Sequence, residues 1–257
     1  MTTWRLLLEY DGTSFCGWQR QPEGRSIQVS VEQAVEQVLG GDSARVIASG
    51  RTDAGVHALG QVVSFQSDVK RTPQKMRDGL NAVLPPEIAC LEAAEAHPEC
   101  HALRSATGKL YRYVIRVGPV PTALRRNRSW QVRYPLDVGA MGAALSLLEG
   151  EHDFTCFRAA GCASKSPVRR INRAGLDVVE GEIWIEIHGA GFLRHMVRNI
   201  VGSLHEVGRH KQEPAWFTHL IEARDRTLAG PTAPALGLHL VRVDYPPALL
   251  TAGSSSG

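Results

Sequence analysis

The segment Gly50-Arg51-Thr52-Asp53-Ala54-Gly55 sets one carboxylate two residues from one guanidinium, between glycines that let the chain turn tightly. Residues two apart in an extended loop project to the same side, so Arg51 and Asp53 can face a common partner. A neighbouring arginine favours the ionised form of a carboxylate, and restricted solvent access sharpens that effect. An ionised, oriented carboxylate is what nucleophilic catalysis requires. The same six residues also describe a turn in which the aspartate bonds its own backbone, and residue types alone leave both readings open.

Other groupings bear on chemistry. In Leu110-Tyr111-Arg112-Tyr113 the two tyrosines share one face of a strand and Arg112 takes the other. A strand tyrosine either packs into a core or offers its ring to a nucleobase; the surrounding basic residues favour the second for Tyr111, and Tyr113 is read as core. Between Gly191 and Val207, Phe192, Met196, Ile200 and Leu204 recur every four residues, which predicts an amphipathic helix with Arg194 and Arg198 on another stripe. A buried arginine there suits a carboxylate partner, and a solvated helix face is the competing account. His97-x-x-Cys100-His101 has no fourth ligand at useful spacing, so no zinc site is assigned. His57 is read as structural. A hydrolase built on Asp53 needs a second carboxylate, for which Glu9 and Asp11, beside a strand end, are the candidates.

Charge is distributed unevenly. The net charge is only +3, yet from Cys100 to Leu136 there is no Asp or Glu while eight lysines and arginines fall in that stretch. Phe154 to Leu176 and His188 to His205 are also free of acids and carry further arginines. Such blocks attract a polyanion because neutralised phosphates release condensed counterions, although each block taken singly also describes a solvated face balanced by acids elsewhere. The five cysteines are scattered and never spaced as CxxC, which disfavours a disulfide framework and fits a reducing cytoplasm. The apolar run at the N-terminus is too short for a signal core, and none elsewhere approaches a membrane span. A soluble cytoplasmic protein is expected.

The elements that must position these residues read as α+β. Trp4 to Glu9 predicts a strand, Ile27 to Leu39 a helix capped by Ser26 and stopped by Gly40-Gly41, and Arg45 to Ser49 a short strand. A loop then runs to Leu59-Gly60, followed by a strand Gln61 to Phe65, a helix Thr72 to Leu80, and strands Ala89 to Ala96 and Tyr111 to Val117. In the second half a helix Met141 to Leu148, a hairpin Ile171 to His188 turning at Glu180-Gly181, helices Gly191 to Val207 and Pro214 to Ala223, and a strand Leu238 to Tyr245 are expected. The division is 1–118 for an N-terminal subdomain carrying the Asp loop, 119–136 for a basic connector, 137–247 for a C-terminal subdomain and 248–257 for a disordered tail.

The string GRTDAGVHALGQVVSF, from Gly50 to Phe65, closely resembles the signature of the tRNA pseudouridine synthase A family. YDGTSFCGWQRQP (Tyr10 to Pro22), GKLYRYVI (Gly108 to Ile115) and GFLRHMVRNIVGSLHEVGRH (Gly191 to His210) resemble the family's other motifs in the family's order. The resemblance implies an isomerase that converts uridine to pseudouridine at positions 38, 39 and 40 in the anticodon stem-loop of tRNAs, with no cofactor and no metal. It implies the pseudouridine synthase fold, two α/β subdomains whose antiparallel sheets form a continuous platform with a basic central cleft, and a homodimer. By the same resemblance Asp53 is the catalytic carboxylate, Arg51 assists base flipping, Tyr111 stacks on the uracil, Arg198 forms the ion pair with Asp53, and Leu238 covers the base. One departure is Leu103-Arg104-Ser105-Ala106, where the family commonly has Arg followed by an aromatic, so Arg104 receives no role. A non-catalytic RNA-binding protein on the same fold is the alternative.

Overall fold

Trp4, Leu6 and Leu8 form the buried face of the first strand, β1 (Thr2–Tyr10), in the computed structural model, which describes residues 1–251. Helix α1 (Ile27–Val38) starts where the Ser26 hydroxyl accepts the Val29 N–H, satisfying one of the orphan donors of a helix start. It ends where Gly40 and Gly41 turn through φ values of +78° and +98°. The strand expected at 45–49 shrinks to β2 (Ile47–Ala48), which pairs antiparallel with β3 (His57–Ser67). That third strand begins at His57 rather than Gln61, because Tyr10 of β1 already pairs with Ala58. Trp4 and Phe65 sit opposite each other on β1 and β3 and stack at 6.5 Å.

Helix α2 (Pro73–Val83) carries Pro at its first position and Thr72 as its cap. Its Asn81 brackets Cys90 of β4 (Ile88–Ala96): the side-chain amide donates to the Cys90 carbonyl and accepts the Cys90 N–H, each at 2.8 Å. In this unit β4, β1 and β3 run antiparallel in that order.

The second unit holds β5 (Gly108–Val117) after its first residue, β6 (Trp130–Val132), α3 (Val138–Ser146), β7 (Gly150–Asp153), β8 (Val168–Val179), β9 (Glu182–Gly189), α4 (Met196–Gly208) and α5 (Trp216–Ala223). Strands β5, β9, β8 and β7 are antiparallel in that order. The β8–β9 hairpin turns at Glu180 and Gly181, both with positive φ, which matches the right-handed twist of the strands it joins. The expectation of α+β architecture with antiparallel sheets describes both units.

Compact units comprise Met1–Gly108 with 240–251, and Lys109–His239, so the division falls within β10 (Leu238–Asp244). This differs from a split around 119–136. That stretch is part of the second unit because Trp130–Val132 forms β6, parallel to β5, and the Gly118 N–H bonds the Val132 carbonyl. Helix α4 starts at Met196, not Gly191, because His195 adopts a left-handed φ of 60° and breaks the helical run. The apolar stripe of Met196, Ile200 and Leu204 lies on this helix, only Arg198 and Glu206 stay outside the core, and Phe192 precedes the helix. The 3-10 turn Pro247–Leu249 reaches into the expected tail at 248, and 252–257 lie outside the described residues. No helix is long and apolar enough to cross a membrane among the described residues.

Candidate active site

Loop 50–56 is irregular backbone held by the segment Tyr10 to Trp18. The Trp18 N–H donates to the Thr52 carbonyl at 3.0 Å and the Gly55 N–H to the Phe15 carbonyl at 3.4 Å. Two glycines permit this approach. A Cβ on Gly12 would lie 2.0 Å from the Val56 carbonyl oxygen, and one on Gly17, at φ +95°, would lie 2.7 Å from the Thr52 oxygen. Phe15 and Trp18 are buried, so the segment that braces the loop is itself anchored in core.

Beneath the loop lies a buried polar network that the sequence reading missed. The Tyr10 hydroxyl and Thr52 Oγ1 are 2.9 Å apart; Gln61 Nε2 donates to the Tyr10 oxygen at 3.3 Å and to the Gly50 carbonyl at 3.0 Å; Ser49 Oγ donates to Gln61 Oε1 at 2.6 Å. Burial, opposed by the bonds to Thr52 and Gln61, pushes the Tyr10 phenol up to about 12, so it stays neutral. The network grips the backbone at Gly50 and the side chain at Thr52, on either side of Arg51. The outcome is an exposed Arg51, a buried Thr52 and a half-buried Asp53. His57 Nδ1 accepts the Gly12 N–H at 3.2 Å and lies 3.2 Å from an Asp11 oxygen, which agrees with its structural reading. Asp11 also accepts the Thr13 N–H and hydroxyl, and Glu9 is exposed on β1.

In the second unit, Tyr111 and Tyr113 share the buried face of β5. The Tyr113 hydroxyl donates to the Pro234 carbonyl at 2.8 Å, and burial raises its pKa above the ordinary phenol range. Tyr111 instead meets the edge of Phe192 with ring centroids 5.1 Å apart. Gly237 admits the Tyr113 ring, since a Cβ there would lie 2.6 Å from Tyr113 Cζ, and this places buried Leu238 at the start of β10.

Arg198 sits in the first turn of α4, with its Nε donating to the Ala233 carbonyl at 2.8 Å and its own carbonyl accepting the Ala233 N–H. Segment 229–234 is clamped on this helix. Asn199 accepts from Thr232 and Arg226, Ser203 Oγ accepts the Gly230 N–H, and a Cβ on Gly202 would lie 1.6 Å from the Pro231 oxygen. Thus Arg51 and Asp53 share one loop of the first unit, and Tyr111, Arg198 and Leu238 belong to the second. The clamp left no sequence signal beyond the glycines at 202 and 230.

The charge blocks are partly absorbed. Arg112 pairs with Glu186 at 2.6 Å and covers the Trp184 ring, and Arg125 pairs with buried Glu182 at 2.7 Å. Their acids stand on β9, distant in sequence. His101 Nδ1 accepts the N–H groups of Leu103 and Arg104, which ties the His-x-x-Cys-His stretch into a turn.

A family model described as tRNA pseudouridine synthase matches residues 7–102 and 144–246. The chain is 47% identical over 246 residues to tRNA pseudouridine synthase A of Pelobacter propionicus, covering 95% of this chain and 100% of the relative. It is 46% identical over 245 residues to the enzyme of that name from Geobacter sulfurreducens, with coverage of 95% and 100%. For Neisseria meningitidis serogroup B the identity is 44% over 246 residues, covering 95% and 92%.

Proposed function

The chain belongs to the tRNA pseudouridine synthase family, and from that premise we propose that it isomerises uridine to pseudouridine at positions 38, 39 and 40 in the anticodon stem-loop of tRNAs, with Asp53 as the catalytic carboxylate. The observation that carries this reading is the loop 50–56, where a half-buried Asp53 stands on backbone braced from two sides within a chain alike to its relatives over nearly its full length. The reaction breaks the bond from N1 to C1′, turns the uracil and rejoins it through C5, which loses its proton while the freed N1 gains one. Substrate and product are isomers, so the chemistry calls for no oxidant, reductant or group donor.

Each residue has a role in that sequence. Exposed Arg51 assists extrusion of the nucleotide, because a base in a helical arm must leave its stack before the glycosidic bond is reached, at about a few kcal/mol. Tyr111 stacks on the uracil while Leu238 covers it, and together they hold the base through its turn. Arg198, its guanidinium held by the Ala233 carbonyl, is the ion-pair partner that keeps Asp53 charged. The protein acts in the cytoplasm as a homodimer; molar mass by light scattering tests the dimer.

Pseudouridine mapping in tRNA treated with the wild type and with Asp53→Ala tests the assignment. Pseudouridine at 38 to 40 with wild type alone is expected. Equal modification by both proteins would remove Asp53 from the catalytic role, and tight binding with no release of tritium from C5-labelled uridine would leave only an RNA-binding protein.

A further inference from the structure

Lys109 lies two residues before Tyr111 on β5, so the two side chains leave the same face of the strand about 7 Å apart along it. Loop 158–166 of the second unit gathers three arginines, and Lys109, whose β9 partner Gly189 packs on the Arg170 backbone, is close enough to Arg169 to feel its charge. Arg158 donates to the carbonyls of Cys162 and Ser164 at 2.9 and 2.7 Å, which folds loop 158–166 around its guanidinium. Arg169 donates to the Ser166 carbonyl and to Ser164 Oγ. Exposed Arg194 donates to the Ala160 carbonyl at 3.1 Å, and its own N–H meets Cys162 Sγ at 3.5 Å. Gly161, at φ +69°, gives the Arg194 guanidinium its room.

Among the described residues no carboxylate forms an ion pair with Lys109, Arg158, Arg169 or Arg194, in contrast to Arg112 and Arg125 nearby in sequence. Burial first, and then the Arg169 guanidinium, push the Lys109 ammonium below its ordinary value. Like charges gathered this way repel one another in the free protein, and a bound anion relieves that repulsion. Apart from the contacts with Cys162, their hydrogen bonds go to neutral carbonyl and hydroxyl oxygens, so no carboxylate cancels the positive charge.

We propose that Lys109, Arg169 and Arg194, disposed around loop 158–166, form a binding site for phosphodiester groups of the RNA strand that carries the target nucleotide. The proposal rests on the functional reading above and gives it a backbone anchor on the same strand face as the stacking tyrosine. Arg158 is the positioning residue, since it shapes the loop from within. Cys162 supplies a built-in reporter. Burial raises its pKa, but hydrogen bonds from the Arg194 and Ser164 backbone and from Arg158 outweigh that and hold the thiol below its ordinary value, which favours the reactive thiolate.

The test measures binding of a tRNA transcript by fluorescence anisotropy across a salt series, for wild type, Lys109→Gln and Arg194→Gln. Each variant should bind less tightly, with the slope of log affinity against log salt reduced by about one, and Lys109→Arg should restore the slope. Iodoacetamide labelling of Cys162 should slow when the wild type is saturated with the transcript. An unchanged slope in both variants, or equal labelling with and without RNA, overturns the proposal. Arg194 is exposed, so its variant decides the matter even where Lys109→Gln disturbs folding. Wild type that forms no pseudouridine overturns the functional reading instead, and the salt slopes still decide the phosphate site.

Discussion

Gln61 has no exposed surface and no chemistry of its own, yet both of its polar ends are used beneath the loop that carries Asp53. Replacing it with leucine strands the Gly50 carbonyl and takes one partner each from the Ser49 and Tyr10 hydroxyls, and an unsatisfied buried group costs about 1–3 kcal/mol. Gln61→Leu is therefore expected to lower the urea midpoint and to lower kcat more than it raises KM, because the loop loses its hold on either side of Arg51. Unchanged kcat in a destabilised Gln61→Leu protein would mean that the network serves folding alone. Thiol chemistry gives a second expectation at this scale. Burial pushes Cys90 and Cys156 up to about 12, whereas Cys162 lies below its ordinary value. Alkylation near neutral pH, read by mass spectrometry, should label Cys162 well before either buried thiol. Residue types and spacing made Asp53 and Arg51 legible because a carboxylate and a guanidinium between glycines announce chemistry. Gln61 was not, since a glutamine on a strand looks the same whether it faces water or a buried loop.

Helix α4 shows what element-scale patterns transmit and where they stop. Apolar residues every four positions identified a helix, and the β8–β9 hairpin followed from the Glu180-Gly181 turn between two alternating runs. The start of α4 was hidden because Phe192 continues the period by coincidence, while left-handed backbone at His195 depends on contacts made by Arg194 with Ala159, Ala160 and Cys162. Strands β6 and β7 are too short for any period to register. The face of α4 that meets segment 229–234 yields the next prediction. Gly202→Ala drives a methyl into the Pro231 carbonyl, a clash with backbone on both sides, for which overpacking costs of about 1–3 kcal/mol are usual. A lower thermal midpoint is expected, together with reduced pseudouridine formation, because the displaced segment carries the Ala233 carbonyl that orients Arg198. A variant with wild-type midpoint and rate would show that the segment shifts freely. Arg198→Ala is expected to lose activity on the proposed pairing with Asp53, and to lose stability because the bond from its Nε to the Ala233 carbonyl goes with it.

At the scale of the whole chain, the first unit is discontinuous in sequence, and this explains why a contiguous division at 118 misdescribes it. Residues 240–251 belong with Met1–Gly108. Leu240 is fully buried and Val243 nearly so; the Thr107 N–H donates to the Asp244 carbonyl, and the Tyr245 hydroxyl donates to the Ala102 carbonyl at 2.6 Å. A Cβ on Gly60 would lie 2.5 Å from the Val241 oxygen, so β3 is shaped to receive this returning segment. Strand signals identify a run of residues but not which distant run it joins, and that is why the segment was legible as a strand and its membership was not. Burying one large aliphatic side chain contributes about 1.5–3 kcal/mol, against a usual total stability of about 5–15 kcal/mol. A chain ending at Gly237 forfeits three such side chains, Leu238, Leu240 and Val243, and the bonds at Thr107 and Ala102, and it should lose cooperative unfolding in the first unit. A chain ending at Leu250 keeps every one of those contacts and should keep the full-length midpoint. Differential scanning calorimetry of the two truncations separates the cases, and a cooperative transition of undiminished enthalpy in the shorter chain would show that residues 1–108 hold together without β10.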